Sequence, residues 1–405
     1  MMSNKSILIF GTGPLQQSLI ERCKLKGLFT VGIDPNPDAK CKNSVDAFEV
    51  VAGDDFEKTL AVAQKYNISG VITAATDKPL VMMARVAEKL HLPFFSVETA
   101  LNSTDKLLMK KKFIEAGLPC AKGFLVSNIR ELTDLDLTYP VIVKPRDNSG
   151  SRGVIYCDNL EGVAKAIEEA LRYTKKGNVL VEEFIEGQEY SIEGIHYNGE
   201  HHVIQFTEKT TTDFPYNVEI AHTQPADISL QQQSEIRVLI AKIGQTLGFE
   251  NCASHTELKI NSRGMYIIET SPRLGGDFIS SMLVPLSTGF NMEDNLIDIS
   301  SKSNELSNEL HICFNKFSRV VFFQLPYGYI KSIGQIEEIK KIEGFHTYNF
   351  ELVEGQIIPL IKNGLDRYGY SVFQADERDG LFKSMKKCNE VLAKEILIVQ
   401  DEQKS

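Results

Sequence analysis

Three stretches of the 405-residue chain hold residue types whose spacing suits chemistry. In YPVIVKPRDNSGSRGVIYC, residues 139–157, Val141 to Val143 read as a buried strand that delivers Lys144 at its end, where Pro145 discourages continuation. The polar turn from Asp147 to Gly153, with Ser149, Gly150 and Ser151 inside it, precedes a second strand. Such a loop can lay backbone N–H groups over a polyphosphate while the lysine neutralises charge, although a plain hairpin has the same outline. It is not a Walker loop, because G-x-x-x-x-G-K-[ST] and the helix after it are absent.

In VLVEEFIEGQEYSIEG, residues 179–194, an apolar strand runs into Glu182 and Glu183, then Phe184 and Ile185, a turn, and Glu189 at the start of another strand. Backbone groups after a strand can pair with an adenine edge, and Glu189 can accept from ribose hydroxyls. Acids on a solvated strand are the bland alternative. The third stretch is SHTELKINSRGMYIIETSPRLGGD, residues 254–277. A hairpin turned at Ser262-Arg263-Gly264 sets Asn261 opposite Met265, Lys259 opposite Ile267, Glu257 opposite Glu269 and His255 opposite Ser271. Leu258, Ile260, Tyr266 and Ile268 then form the apolar face. Two carboxylates facing each other cost roughly 0.2–1 kcal/mol, so a cation is expected between them, and oxygen ligands of this kind suit Mg²⁺.

These stretches need elements to hold them. Residues 1–98 alternate short apolar strands (Ile7–Phe10, Phe29–Ile33, Gly70–Ala75, Pro93–Val97) with helical patterns, which predicts a parallel sheet. Its opening, ILIFGTGPLQQSLI, followed by a strand ending in Asp34, has the outline of a dinucleotide-binding unit, but Gln16 stands where that fingerprint wants a third glycine. Asn102-Ser103-Thr104-Asp105 opens a helix that Gly117-Leu118-Pro119 stops. Further helices are expected at 159–173, 230–247 and 379–394, and tail strands near 319–325, 349–360 and 395–399. The polar run at 300–304 marks a boundary.

Composition narrows the function classes. Net charge is −10, which argues against a nucleic-acid surface, and no apolar run approaches the roughly 20 residues of a membrane helix. Seven scattered cysteines without a CxxC pair predict reduced thiols in a cytoplasm, not a zinc site or disulfide framework.

The ordered set Lys106 in a helix's first turn, Lys144, the 147–153 loop, Glu182-Glu183-x-Ile185, Glu189, Glu257 and Glu269 resembles the ATP-grasp superfamily over about residues 100–300. The resemblance implies an α/β and α+β protein: an N-terminal parallel-sheet pre-ATP-grasp domain (1–98), a two-subdomain ATP-grasp fold (99–304) and a small C-terminal α+β domain (305–405). It implies ATP with Mg²⁺ (or Mn²⁺): Lys106, Lys144 and the loop on phosphates, Glu182, Glu183 and Ile185 at adenine, Glu189 on ribose, Glu257 and Glu269 on metal. Ser271 stands where the family usually has a third metal ligand, Asn. Arg273-Leu274-Gly275-Gly276-Asp277 is similar to the L-amino-acid ligases, which makes Arg273 the expected catalytic residue, receiving the substrate carboxylate. The tail, 325–344 and 366–388, resembles their C-terminal domain more loosely. The implied activity is carboxylate–amine ligation through an acylphosphate on small carboxylates and amines, amino acids foremost, with a homodimer admitted. Carboxyphosphate chemistry on bicarbonate, as in biotin carboxylase, is the alternative. A nucleotide-binding regulatory protein is disfavoured by the retention of both lysines and both metal acids.

Overall fold

In the computed structural model, which describes residues 5–132, 137–148, 150–302, 310 and 312–399, the apolar runs at the start of the chain form a four-stranded parallel sheet. Its order is Ala47–Val50, Phe29–Asp34, Ser6–Phe10, Ile68–Ile72. The edge strand Ala47–Val50 has no periodic signature in sequence; it is held because the Asp46 carboxylate accepts from the Thr30 N–H and hydroxyl, each at 2.8 Å. The expected strand at Pro93–Val97 does not form. Ser96 instead caps a helix, Val97–Thr104, by accepting from the Thr99 N–H. Asp105 does the same for the helix Lys106–Glu115, which fixes Lys106 as its first residue.

The glycine turn after the first strand is a structural joint. Asp34 accepts from the Thr12 N–H at 2.8 Å, and the buried Gln16 amide fills the space beside the turn, accepting from Gly13 and donating to the Ala74 carbonyl. The helix Met292–Ser301 packs on this sheet so closely that a Cβ on Gly70 would lie 2.2 Å from the Ser300 carbonyl oxygen. Arg22–Asp294 and Lys26–Asp298 pairs at 2.8 and 2.9 Å flank that contact.

A second sheet, antiparallel, runs Gly123–Val126, Val179–Glu183, Val141–Pro145, Ile155–Cys157, and the helix Leu160–Leu171 seals its back with Val163, Ala166, Ile167 and Ala170. The third is an eight-stranded antiparallel sheet: Gly264–Ser271, Cys252–Asn261, Gln188–Tyr197, Glu200–Thr211, Glu219–Gln224, Phe317–Phe322, Gly369–Ala375, Phe345–Phe350. The helix Leu230–Leu247 covers part of it, begun by a Ser229/Gln232 capping box and ended by Gly248 at φ +75°. The last three strands come from the tail, so the C-terminal segment extends the central sheet. The expected boundary at 304 lies outside the described residues. The strand expected at 349–360 lies earlier, at Phe345–Phe350, and the chain beyond it turns at Gly355 with φ +83°. Ile396–Val399 pairs with Tyr329–Ile333 beside the helix Arg378–Glu395. Among the described residues the seven cysteines form no disulfide, and no helix is long and apolar enough to cross a membrane.

The sheet also buries a polar chain with a pH consequence. His196 is fully buried, its ring nitrogens 2.7 Å from His201 Nδ1 and 2.7 Å from Ser254 Oγ, and burial pushes its pKa down from 6.5 to about 3. The unfolded chain then binds a proton near pH 6.5 that the folded chain refuses until about pH 3, so stability falls as pH drops through that window. The slope from this group is up to about 1.4 kcal/mol per pH unit. Denaturant midpoints at pH 7.5 and 5.5 should diverge in the native protein and converge in His196→Gln; equal divergence in both removes His196 as the cause.

Candidate active site

The two antiparallel sheets face each other across a cleft of about 1010 Å³. The strand Val141–Pro145 brings Lys144 to it, buried, with Nζ 2.7 Å from Glu182 on the neighbouring strand. Lys110 lies 3.2 Å from the other Glu182 oxygen, which accepts no aligned hydrogen bond. Burial opposes the charge on Glu182, but Lys144 and Lys110 outweigh it and hold the carboxyl below its usual range. Lys106 Nζ reaches Glu269 at 2.8 Å and the Asn148 carbonyl at 2.8 Å, tying the hairpin to the polar loop.

Glu257 opposes Glu269 and His255 opposes Ser271, as the hairpin pattern predicts, but from Leu258 to the turn the register is corrected by a bulge between Glu257 and Leu258. Lys259 faces Tyr266, Ile260 faces Met265 and Asn261 faces Gly264. Ile267 therefore enters the core, and Ile268 lines the cleft instead of the apolar face assigned to it from sequence. The two acids do not share one cation. Glu269 takes Lys106, whereas Glu257 takes Lys209 at 2.6 Å and His255 Nε2 at 3.4 Å. Burial disfavours ionised Glu257, but Lys209 and His255 keep its pKa well below normal. Lys209, 2 % exposed, also contacts Glu189 at 3.1 Å and Glu219 at 3.4 Å. Glu189, Glu219 and Glu257 thus bring carboxylate oxygens within 4.8 Å of one another, a donor set that can hold a hard cation.

Lys106, Lys144, Gly150, Ser151, Glu182 and Glu183 all line this cleft, as do Ile185, Glu189, Glu257 and Glu269. Gly153 stands behind it, in a left-handed turn (φ +75°) against Tyr173 and Pro145. Ser149 lies outside the described residues. Ser271 and Arg273 leave the hairpin end and meet Asp77, which follows the strand Ile68–Ile72: the Ser271 hydroxyl donates at 2.5 Å, Arg273 Nε at 2.8 Å and Nη2 at 3.2 Å. Arg273 Nη1 donates to the Leu274 carbonyl, so of five N–H donors two stay uncommitted among these bonds. Asp77 is held down to about 2, because Arg273 and Ser271 overcome the effect of burial. Asp277, by contrast, is gripped by Arg367 through two bonds of 2.7 Å, with His222 at 3.4 Å.

Gly275 is small for a reason internal to the protein. A Cβ there would lie 2.6 Å from Glu193 Oε2 and 2.9 Å from His255 Nδ1, inside a buried 2.8 Å ion pair. Gly275→Ala should cost about 1–3 kcal/mol of stability by crowding that pair; a calorimetric scan unchanged from the parent would refute the packing role. Asp77, Lys209, Glu193 and Glu219 escaped the sequence reading. Asp77 had one usable signal, its place just past a parallel strand's carboxyl end, where α/β sheets gather ligand-side residues. Lys209 sits in an alternating strand with no local signal at all.

With this geometry in view, residues 137–281 match the ATP-grasp domain family. The chain is 28% identical over 246 residues to alanine–anticapsin ligase of Bacillus amyloliquefaciens, covering 54% of this chain and 51% of that protein. It is 26% identical over 300 residues to an L-arginine-specific L-amino acid ligase of Bacillus subtilis, 71% of this chain and 70% of that one. It spans about half the length of the alanine–anticapsin ligase it matches. The solved L-amino acid ligase from Bacillus licheniformis has the same fold, with a TM-score of 0.82 at 20% identity over 99% of this chain and 100% of that one.

Proposed function

From the premise that residues 137–281 form an ATP-grasp domain, we propose that this chain is an ATP-dependent carboxylate–amine ligase. The observation that carries this reading is the one cleft lined by Lys144, Glu182, Glu189, Glu257 and Glu269 from two facing sheets and by Lys106 from the start of the helix Lys106–Glu115. Lys106 and Lys144 neutralise the phosphates, with Gly150 and Ser151 on the loop above them. Glu182 offers the adenine amine its unaligned buried oxygen, Glu183 and Ile185 frame the base, and Glu189 accepts from ribose. Glu257 and Glu269, with Glu189 and Glu219 close by, are the oxygen donors for Mg²⁺ or Mn²⁺, and Lys106 and Lys209 must give up part of their hold on them for it. The Ser271 hydroxyl proton is committed to Asp77, so only its lone pairs are available to a metal. When bound, the ion supplies charge neutralisation at the transferring phosphoryl group.

A substrate carboxylate oxygen takes the γ-phosphoryl group of ATP, giving an acylphosphate and ADP. An amine then attacks the acyl carbon, phosphate departs with the bond's electron pair, and the amine loses a proton. Arg273 offers its remaining N–H groups to the carboxylate and to the acylphosphate that replaces it. Amino acids are the expected substrates, in a reducing cytoplasm. Screening pairs of amino acids for phosphate release tests the reading. ADP and phosphate should appear only when a carboxylate and an amine are both present. Release that needs bicarbonate and no amine would replace it with carboxyphosphate chemistry, and ATP binding without turnover would reduce the protein to a nucleotide-binding module.

A further inference from the structure

The eight-stranded sheet has a second concave surface on the face opposite the cleft. Register runs Glu208, Thr223, Arg319 across three strands, one position from Lys209, His222, Val320. Successive strand residues point to opposite faces, so Arg319 lies on the side away from Lys209 and the cleft. There it borders a groove of about 1450 Å³ between the sheet and the helix Arg378–Glu395, walled by side chains such as Val321, Leu325, Met385 and Leu392. Arg319 is the only charged residue lining that groove among the described residues.

This arginine is poorly compensated for its depth. Its exposure is 9%, Nη1 donates to Thr223 Oγ1 at 2.8 Å, and Nε is buried without a partner. No carboxylate among the described residues lies within 4.0 Å of it. Glu208, whose field reaches Arg319, is bonded to Arg378 at 2.7 Å. The guanidinium plane's other neighbour is the Phe382 ring, 4.9 Å away. Burying a cation without a bonded acid is costly, and burial pulls the Arg319 pKa down to about 10. A guanidinium with spare donors at the edge of an apolar groove matches one negative charge carried on an apolar chain.

We propose that this groove is a second ligand site that takes a small aliphatic monocarboxylate, its head on Arg319 and its chain against Met385 and Leu392. The probe is hexanoate, added without nucleotide to the full-length protein carrying ¹³C-methyl methionine. The Met385 resonance, identified by its loss in Met385→Leu, reports on the groove wall and not on the ATP cleft. Hexanoate should move it saturably, hexylamine should not, and Arg319→Gln should weaken the response by about tenfold or more. Ala393→Phe, at an exposed position that lines the groove, should block the response while leaving the core intact, and it decides the matter if Arg319→Gln does not fold. No saturable shift, an equal shift with hexylamine, or a response undiminished in the variants would overturn the proposal. Because the readout needs neither ATP nor turnover, its failure leaves the ligase reading where it stands.

Discussion

Arg273→Met is expected to abolish amide synthesis and to unfold the protein several degrees early, and the value of the experiment lies in separating the two effects. Arg273 and Asp77 form a two-pronged pair, with side chains 10% and 22% exposed. Removing one partner of such a pair leaves an uncompensated carboxylate, at a cost of about 3–5 kcal/mol. Adding Asp77→Asn removes that charge and should restore most of the lost stability. Turnover should stay at least about 100-fold down, the scale of losing one preorganised donor at a reacting oxyanion. Should the double variant regain turnover with its stability, Arg273 serves only to anchor Asp77, and the substrate carboxylate is held elsewhere. Arg273→Lys adds a second view: charge is kept and the fork geometry lost, so synthesis should fall while ATP affinity stays within about twofold of the parent.

Lys144→Ala should weaken ATP binding by about 2–3 kcal/mol, roughly 30- to 150-fold, the range for losing a charge-assisted hydrogen bond. The lysine is buried at the cleft wall, and among the described residues its one ion-pair partner is Glu182 at 2.7 Å. Glu182 keeps Lys110 at 3.2 Å after the substitution, so the fold should survive, and circular dichroism checks that independently. Isothermal titration with a non-hydrolysable ATP analogue measures the effect. Parental affinity in the folded variant would show that Lys144 exists to neutralise Glu182 and touches no phosphate.

Much of this site was legible in the chain itself, because its parts are local. Apolar strands of period two, a proline after Lys144, an Asp cap before Lys106 and a glycine hairpin at 264 are each decided within a few residues, and ten of the residues that these patterns and the family resemblance together single out line one cleft. The opposition of Glu257 and Glu269 was also readable, since turn chemistry sets register. The bulge beside Glu257 was not, and it exchanged the roles of Ile267 and Ile268. Asp77 joins Arg273 across 196 residues of chain, and Arg367 joins Asp277 across 90. Lys209 gathers three glutamates from three other strands. Contacts of that kind follow from how finished elements pack, from twist, strand order and the closeness that Gly70 and Gly275 permit, and no window of sequence contains both partners. The chain by itself thus determined which side chains carry charge and at which strand ends they stand. The tertiary structure alone decided which charges meet, because burial makes each pairing a matter of several kcal/mol and only the assembled sheets bring distant charges within reach.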